Sequence, residues 1–258
     1  MNPKVRLMNA QETYLYLWKQ HLMARRIVVP RYGDGEYMIM CGKQNKIATH
    51  KVTKELTDLM NKAIKKKGQL ICMPTSMAKK TGGVRSGAAN YFLENSNHAV
   101  YGTGIWRLHD VQTDFNFLTE FFIGKTLIVT GNHAECKRAF ESNGIDVDVL
   151  EARKTNAFLE YPKLKQTLIS RCKKYDNIIF ALGPTSNILI ADLVGKSRTN
   201  LIDIGGFIGV IINPYSKDEK LIKKWTGIPR RSNKERIRRF SKIFFKKLKD
   251  KIELYSEG

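Results

Sequence analysis

The sequence predicts an α/β fold, a mostly parallel sheet with helices on both faces, followed by a basic amphipathic helix at the carboxyl end. Three observations carry this. Short β-branched runs alternate with segments of helical period; the runs read as buried strands; and a composition of 42% hydrophobic and 27% charged residues, with seven prolines in 258, is that of a chain that folds. At this length a core forms without disulfides or metal staples.

The strand runs are Ile27–Pro30, Gln69–Met73, Thr126–Thr130, Asp146–Leu150, Asn177–Ala181 and Asn200–Ile204. Between them, Thr53–Lys65 places Leu56, Leu59, Met60 and Ile64 on one helical face, and Ala134–Asn143, Tyr161–Lys174 and Thr185–Leu193 read as further helices. Repeated strand, helix, strand units imply parallel pairing with helices on both faces. This core spans residues 1–215, and residues 216–258 form a basic extension.

Forty-five Lys and Arg against 24 Asp and Glu give a net charge of +21, which implies an anionic ligand or surface. The first residues, Met1–Trp18, mix Lys4, Arg6, Asn9, Gln11 and Glu12, so no secretory signal is read there and a cytoplasmic location is expected. Leu201–Ile212 is too short to span a bilayer and contains Asp203 and three glycines. Cys41, Cys72, Cys136 and Cys172 form no C-x-x-C pair and read as reduced, mostly buried thiols.

In parallel sheets of this kind ligands sit outside the carboxyl ends of the strands. Three such ends carry small and polar residues: Arg31-Tyr32-Gly33-Asp34-Gly35-Glu36, Thr130-Gly131-Asn132 and Leu182-Gly183-Pro184-Thr185. In the first, Asp34 and Glu36 are one residue apart, so an extended chain would point both carboxylates to one face. Two such carboxylates suit Mg²⁺ or Mn²⁺, whose remaining positions go to water and phosphate oxygens. Gly33 and Gly35 allow tight backbone and close ligand approach, and Arg31 offers a fork of donors to a diphosphate. The alternative for these six residues is a solvated Gly-Asp-Gly turn with a neighbouring salt bridge.

The same hexapeptide resembles the Arg-aromatic-Gly-Asp-Gly-Glu signature of the GT-D glycosyltransferases, a family defined by an Asp-x-Glu motif. The resemblance continues in Asn156-Ala157-Phe158, in Leu182-Gly183-Pro184-Thr185 followed by Leu189 and Asp192-Leu193, and ends in Ile202-Asp203-Ile204-Gly205, covering about residues 27–207. It implies a Rossmann-like fold in which Asp34 and Glu36 bind Mn²⁺ or Mg²⁺ together with the diphosphate of a nucleotide sugar, most often a UDP-hexose. Two positions depart from the pattern. Gly206 stands where the family commonly has a His, and Gly131-Asn132-His133-Ala134-Glu135 replaces a glycine-rich continuation. Any contact made by that His is therefore missing here.

Sugar transfer leaves negative charge on the departing diphosphate, which a metal and cationic side chains stabilise. Arg31 is the first such side chain, with Arg107 and Lys154 as weaker candidates. An inverting reaction also needs a proton acceptor. Asp110 beside His109 and the His133-Ala134-Glu135 segment are candidates, each also readable as surface or capping residues. Asp203 stands at a strand's carboxyl end, where a site role and a loop-bracing role look alike. Thr185 at a helix start could receive a phosphate or merely cap the helix, and Asn156 with Phe158 could hold a nucleobase. Asp192 reads as structural.

Residues 216–258 hold a net charge of +9. After Pro229, Ser232 and Glu235 form a capping-box pattern, and Ile237, Phe240, Phe244, Leu248 and Ile252 recur at helical spacing opposite Arg236, Arg239, Lys242, Lys246 and Lys249. Such a helix suits either an anionic membrane surface, on the inner face of the cytoplasmic membrane, or docking onto the core. The expected partners are a nucleotide-sugar donor and a surface glycan, glycoprotein or lipid-linked acceptor. A non-catalytic nucleic-acid-binding protein is the alternative that charge and aromatic content suggest, but no nucleic-acid-binding signature supports it. A dinucleotide enzyme is disfavoured because no G-x-G-x-x-G follows a strand.

Overall fold

The computed structural model describes residues 6–43, 50–73, 84–96, 98, 100–103, 123–142 and 144–212. Arg107, His109, Asp110 and the whole basic tail lie outside the described residues. Five parallel strands form the main sheet: β2 (Val28–Val29), β5 (Thr126–Thr130), β6 (Val147–Glu151), β7 (Asn177–Ala181) and β8 (Asn200–Asp203), in the order β2-β8-β7-β5-β6. Three further strands, β1 (Arg6–Leu7), β4 (Val100–Thr103) and β3 (Cys72–Met73), pair in parallel in the order β1-β4-β3. The amides of Leu70 and Cys72 donate to the carbonyls of Val28 and Pro30, and the Tyr32 amide donates to the Cys72 carbonyl. These bonds carry the ladder from β3 across to β2.

Side chains of the central strands alternate between two cores, as the two-residue pleat requires. Leu127, Val129, Ile178, Phe180 and Leu201 face one core with α2 (Asp34–Met40), α3 (Lys54–Ala63) and the helices Val84–Asn95, Tyr161–Arg171 and Pro184–Leu193. Ile128, Ile179 and Ile202 face the other with α1 (Ala10–Leu22) and the helices His133–Glu141 and Phe207–Ile212. Helices therefore cover both faces, which is why the strands read as continuous apolar runs. Helix α3 starts where Thr53 accepts a hydrogen bond from the Leu56 amide, and Leu56, Met60 and Ile64 are buried along it. Helix α1 opens on a capping box: Asn9 accepts from the Glu12 amide, and the Glu12 carboxylate accepts from the Asn9 amide.

Cys72, Cys136 and Cys172 are buried free thiols, and burial pushes the first two up to about 12. Among the described residues no helix is long and apolar enough to cross a membrane. From β5 the chain moves outward to β6, then returns across β5 to β7, so strand order reverses between β5 and β7. The crevice of a doubly wound sheet opens at such a reversal, here between Gly131 and Gly183.

Candidate active site

The segment Arg31–Glu36 leaves the carboxyl end of β2. The structure corrects the extended reading of this segment, because Asp34 opens helix α2. Gly33 caps the helix, and the Glu36 carboxylate reaches back to accept from the Gly33 amide at 2.9 Å. Acidic residues in a first turn are favoured by the free amides and the helix dipole, and Ile39 and Met40 anchor the other end in the core. Asp34 and Glu36 thus share one turn instead of one strand face. Asp34 is exposed and Glu36 half-buried. A Cβ at Gly35 would meet nothing within 4 Å, so space is open there.

Neighbouring β8 brings Asp203 to the same rim. Its carboxylate, in a residue 1% exposed, accepts from the Gly205 amide at 2.9 Å. Burial raises this carboxyl to about 7; the Arg31 guanidinium and the amides of Gly205 and Arg31 oppose the rise, while the charge of Glu36 adds to it. Arg31 lies over Gly205. A Cβ on Gly205 would fall 1.9 Å from a terminal guanidinium nitrogen, and Gly205 holds φ at +47°. Next to Arg31 in sequence, Tyr32 is fully buried and packs edge-on with Phe92, ring centroids 5.6 Å apart. Its hydroxyl and the Arg31 Nε are buried and have no hydrogen-bond partner among the described residues.

The third strand end, after β7, is drawn into the same assembly. Gly183, at φ +59°, caps the Pro184–Leu193 helix, and the Ser186 hydroxyl accepts from the Leu182 amide. Thr185 is buried with its hydroxyl 3.1 Å from His50 Nε2, rather than open to an anion. Burial lowers His50 to about 4, so the imidazole is neutral at pH 7. Asn187 is buried and bonds both polar groups of the Arg31 peptide: Oδ1 accepts from its amide at 3.1 Å, and Nδ2 donates to its carbonyl at 2.8 Å.

Asn156 adopts φ +51°, and its side chain accepts from the Lys51 amide. Phe158 stacks on Tyr161 with ring centroids 5.5 Å apart and packs against the core, so these two residues brace a loop in this structure. Lys154 is exposed, its backbone pressed against Gly131. Asp192 accepts from the Tyr161 hydroxyl at 2.7 Å and pairs with Lys165 at 3.1 Å, as a structural residue would. His133 and Glu135 begin the His133–Glu141 helix at the end of β5.

Tyr32, His50 and Asn187 are the rim residues that the sequence reading left without a role. Tyr32 stood inside the hexapeptide, whereas His50 and Asn187 carry no local signal. Among the described residues no group of three or more His, Cys, Asp or Glu is gathered to hold a metal ion. The donor set nonetheless fits a hard cation that takes one or two carboxylates and fills its remaining positions with water and phosphate oxygens.

No family model matches the chain, and no curated protein does. Solved structures do. One is described as the highly conserved domain of unknown function 1792 with a distinct glycosyltransferase fold; it is 21% identical, with 81% of this chain and 80% of that chain covered and a TM-score of 0.63. Another, described as a new glycosyltransferase of the same domain from Streptococcus sanguinis, is 19% identical over 80% of this chain and 83% of that chain, with a TM-score of 0.60. The parallel sheet and its two helical layers thus have the fold described for domain 1792, a distinct glycosyltransferase fold.

Proposed function

We propose that this chain is a metal-dependent glycosyltransferase that moves a hexose from a UDP-linked donor to a surface glycan, glycoprotein or lipid-linked acceptor. One observation carries the reading: Asp34 and Glu36 open a helix at the end of β2, and the Arg31 guanidinium and the Glu36 charge act on the buried Asp203 of β8, in a chain with a glycosyltransferase fold. Asp34 and Glu36 would hold Mn²⁺ or Mg²⁺, which supplies Lewis acidity to the donor's diphosphate. The Arg31 guanidinium stabilises negative charge on the departing nucleotide. Asp203 is too enclosed to meet an acceptor hydroxyl, so its part is to hold the Gly205 turn and the Arg31 amide in place. The basic tail would let the enzyme lie on an anionic membrane surface, where a lipid-linked acceptor would be met.

Calorimetry with UDP and UDP-hexoses, with and without Mn²⁺, tests the reading. Binding is expected only with the metal and is abolished by Asp34→Asn combined with Glu36→Gln. Gln at position 36 keeps an oxygen for the Gly33 amide, so the helix start survives and loss of binding reports on the metal site. Metal-independent binding overturns this function. Steep salt-dependent affinity for nucleic acid, untouched by the double substitution, would establish the competing one.

A further inference from the structure

A strand that ends at a binding rim must place its last peptide somewhere. On β2, alternate peptides face β3 and β8: the carbonyls of Val28 and Pro30 and the amide of Tyr32 face β3, while the Ile27 carbonyl accepts from Leu201 of β8. By this alternation the Arg31 peptide faces β8. Register pairs Val28 with Leu201 and Val29 with Ile202, and there the pairing of the two strands stops. Beyond that register no β8 backbone group meets the Arg31 amide or carbonyl; from β8 only the Asp203 carboxylate acts on the amide, and the carbonyl has no partner there.

Asn187 takes that place. Its carboxamide offers one acceptor and one donor in the spacing of a peptide, and both are used on Arg31, at 3.1 and 2.8 Å. It stands in the first turns of the Pro184–Leu193 helix, 156 residues further along the chain, and is 0% exposed. The side chain therefore substitutes for a strand where the sheet opens. Where the pairing of β2 with β8 ends, two part-buried backbone groups are thus satisfied by a side chain.

We infer that Asn187 is a positioning residue for the Arg31–Glu36 segment, fixing the peptide from which the guanidinium and the two carboxylates project. The effect on ligand binding rests on the glycosyl-transfer reading; the effect on the backbone does not. Two variants separate contact from bulk. Asn187→Asp keeps size and the acceptor but sets a second oxygen against the Arg31 carbonyl, and Asn187→Ser removes both bonds with a small polar side chain.

Amide hydrogen exchange and calorimetry then read the two halves. In the wild-type chain the Arg31 amide is expected to exchange as slowly as the amides of β7. In either variant, exchange across residues 31–36 should accelerate at least tenfold while β7 is unchanged, and affinity for UDP with Mn²⁺ should fall at least tenfold at unchanged stoichiometry. A purely structural role would lower the melting temperature and speed exchange throughout, leaving affinity of the folded fraction unaltered; that result overturns the inference. A rapidly exchanging wild-type Arg31 amide overturns it without any variant. Should the wild-type chain bind no UDP with Mn²⁺, the glycosyl-transfer reading fails, and local exchange alone still decides whether Asn187 holds the segment.

Discussion

Replacing Asp203 by Asn should stabilise the protein in a way that depends on pH. The carboxyl is 1% exposed and held at about 7, against an ordinary 3.8, because burial penalises its charged form. A raised acid in the folded state binds a proton that the unfolded chain has already lost between these two values. Stability is therefore greatest at low pH and falls as pH rises through that window, then levels off above 7. Between pH 5 and 8 only the upper two pH units of the window are crossed, so the loss is about 3 kcal/mol. Asn is neutral throughout and keeps an oxygen for the Gly205 amide, so it escapes the loss. Urea unfolding of both proteins in chelator at pH 5, 6, 7 and 8 should show the variant gaining on the wild type by roughly 2–3 kcal/mol across the series. A difference that stays constant, or that shrinks as pH rises, would refute the assignment of the buried charge to Asp203.

Two glycines give further tests. Gly205→Ala puts a methyl 1.9 Å from the end of the Arg31 side chain, which is flexible and can swing aside; the expected stability loss is therefore only the ~1–2 kcal/mol of a left-handed backbone. Arg31 is displaced, so UDP affinity by calorimetry should fall more than the melting temperature suggests. Gly131→Ala instead meets the Lys154 backbone at 2.5 Å, which cannot step aside. Its cost should appear as about 1–3 kcal/mol of stability in denaturant titration.

What the sequence disclosed follows from what is local. Thr126–Thr130 and Asn177–Ala181 were legible to the residue because both strands are apolar runs buried on both faces, each opening on a polar residue. Helix α1 was not read, although Asn9 and Glu12 spell its capping box. β4 escaped for a tertiary reason: Gly102 lies so close to β3 and α1 that a Cβ would be 2.8 Å from both Cys72 Sγ and Thr13 Cγ2, and a glycine in a four-residue run looks like a turn. At the site, the spacing of Asp34 and Glu36 was visible, but their backbone was not. Glu36 serves as the cap acceptor of its own helix, a role that the flanking glycines concealed. The bonds from His50 to Thr185 and from Asn187 to Arg31 cross 135 and 156 residues, beyond any periodic signal.

Those long-range bonds also explain how two separated stations on the rim can work together. The crevice opens at the β5/β7 reversal, whereas the Asp34–Glu36 turn stands at β2, two strands beyond β7 and so about 10 Å away at ordinary strand spacing. The Pro184–Leu193 helix bridges this gap. It begins at Gly183, on the crevice, and within its first turns Thr185 meets His50 while Asn187 meets Arg31. Because the helix packs on α3, which in turn packs on α2, its first turn cannot shift without moving the support of the Asp34–Glu36 helix. A buried turn bonded to both places couples their positions through packing, which permits few intermediate arrangements. The order of residues 183–187, more than the chemistry of any one of them, thus sets the distance between the crevice and the acidic turn.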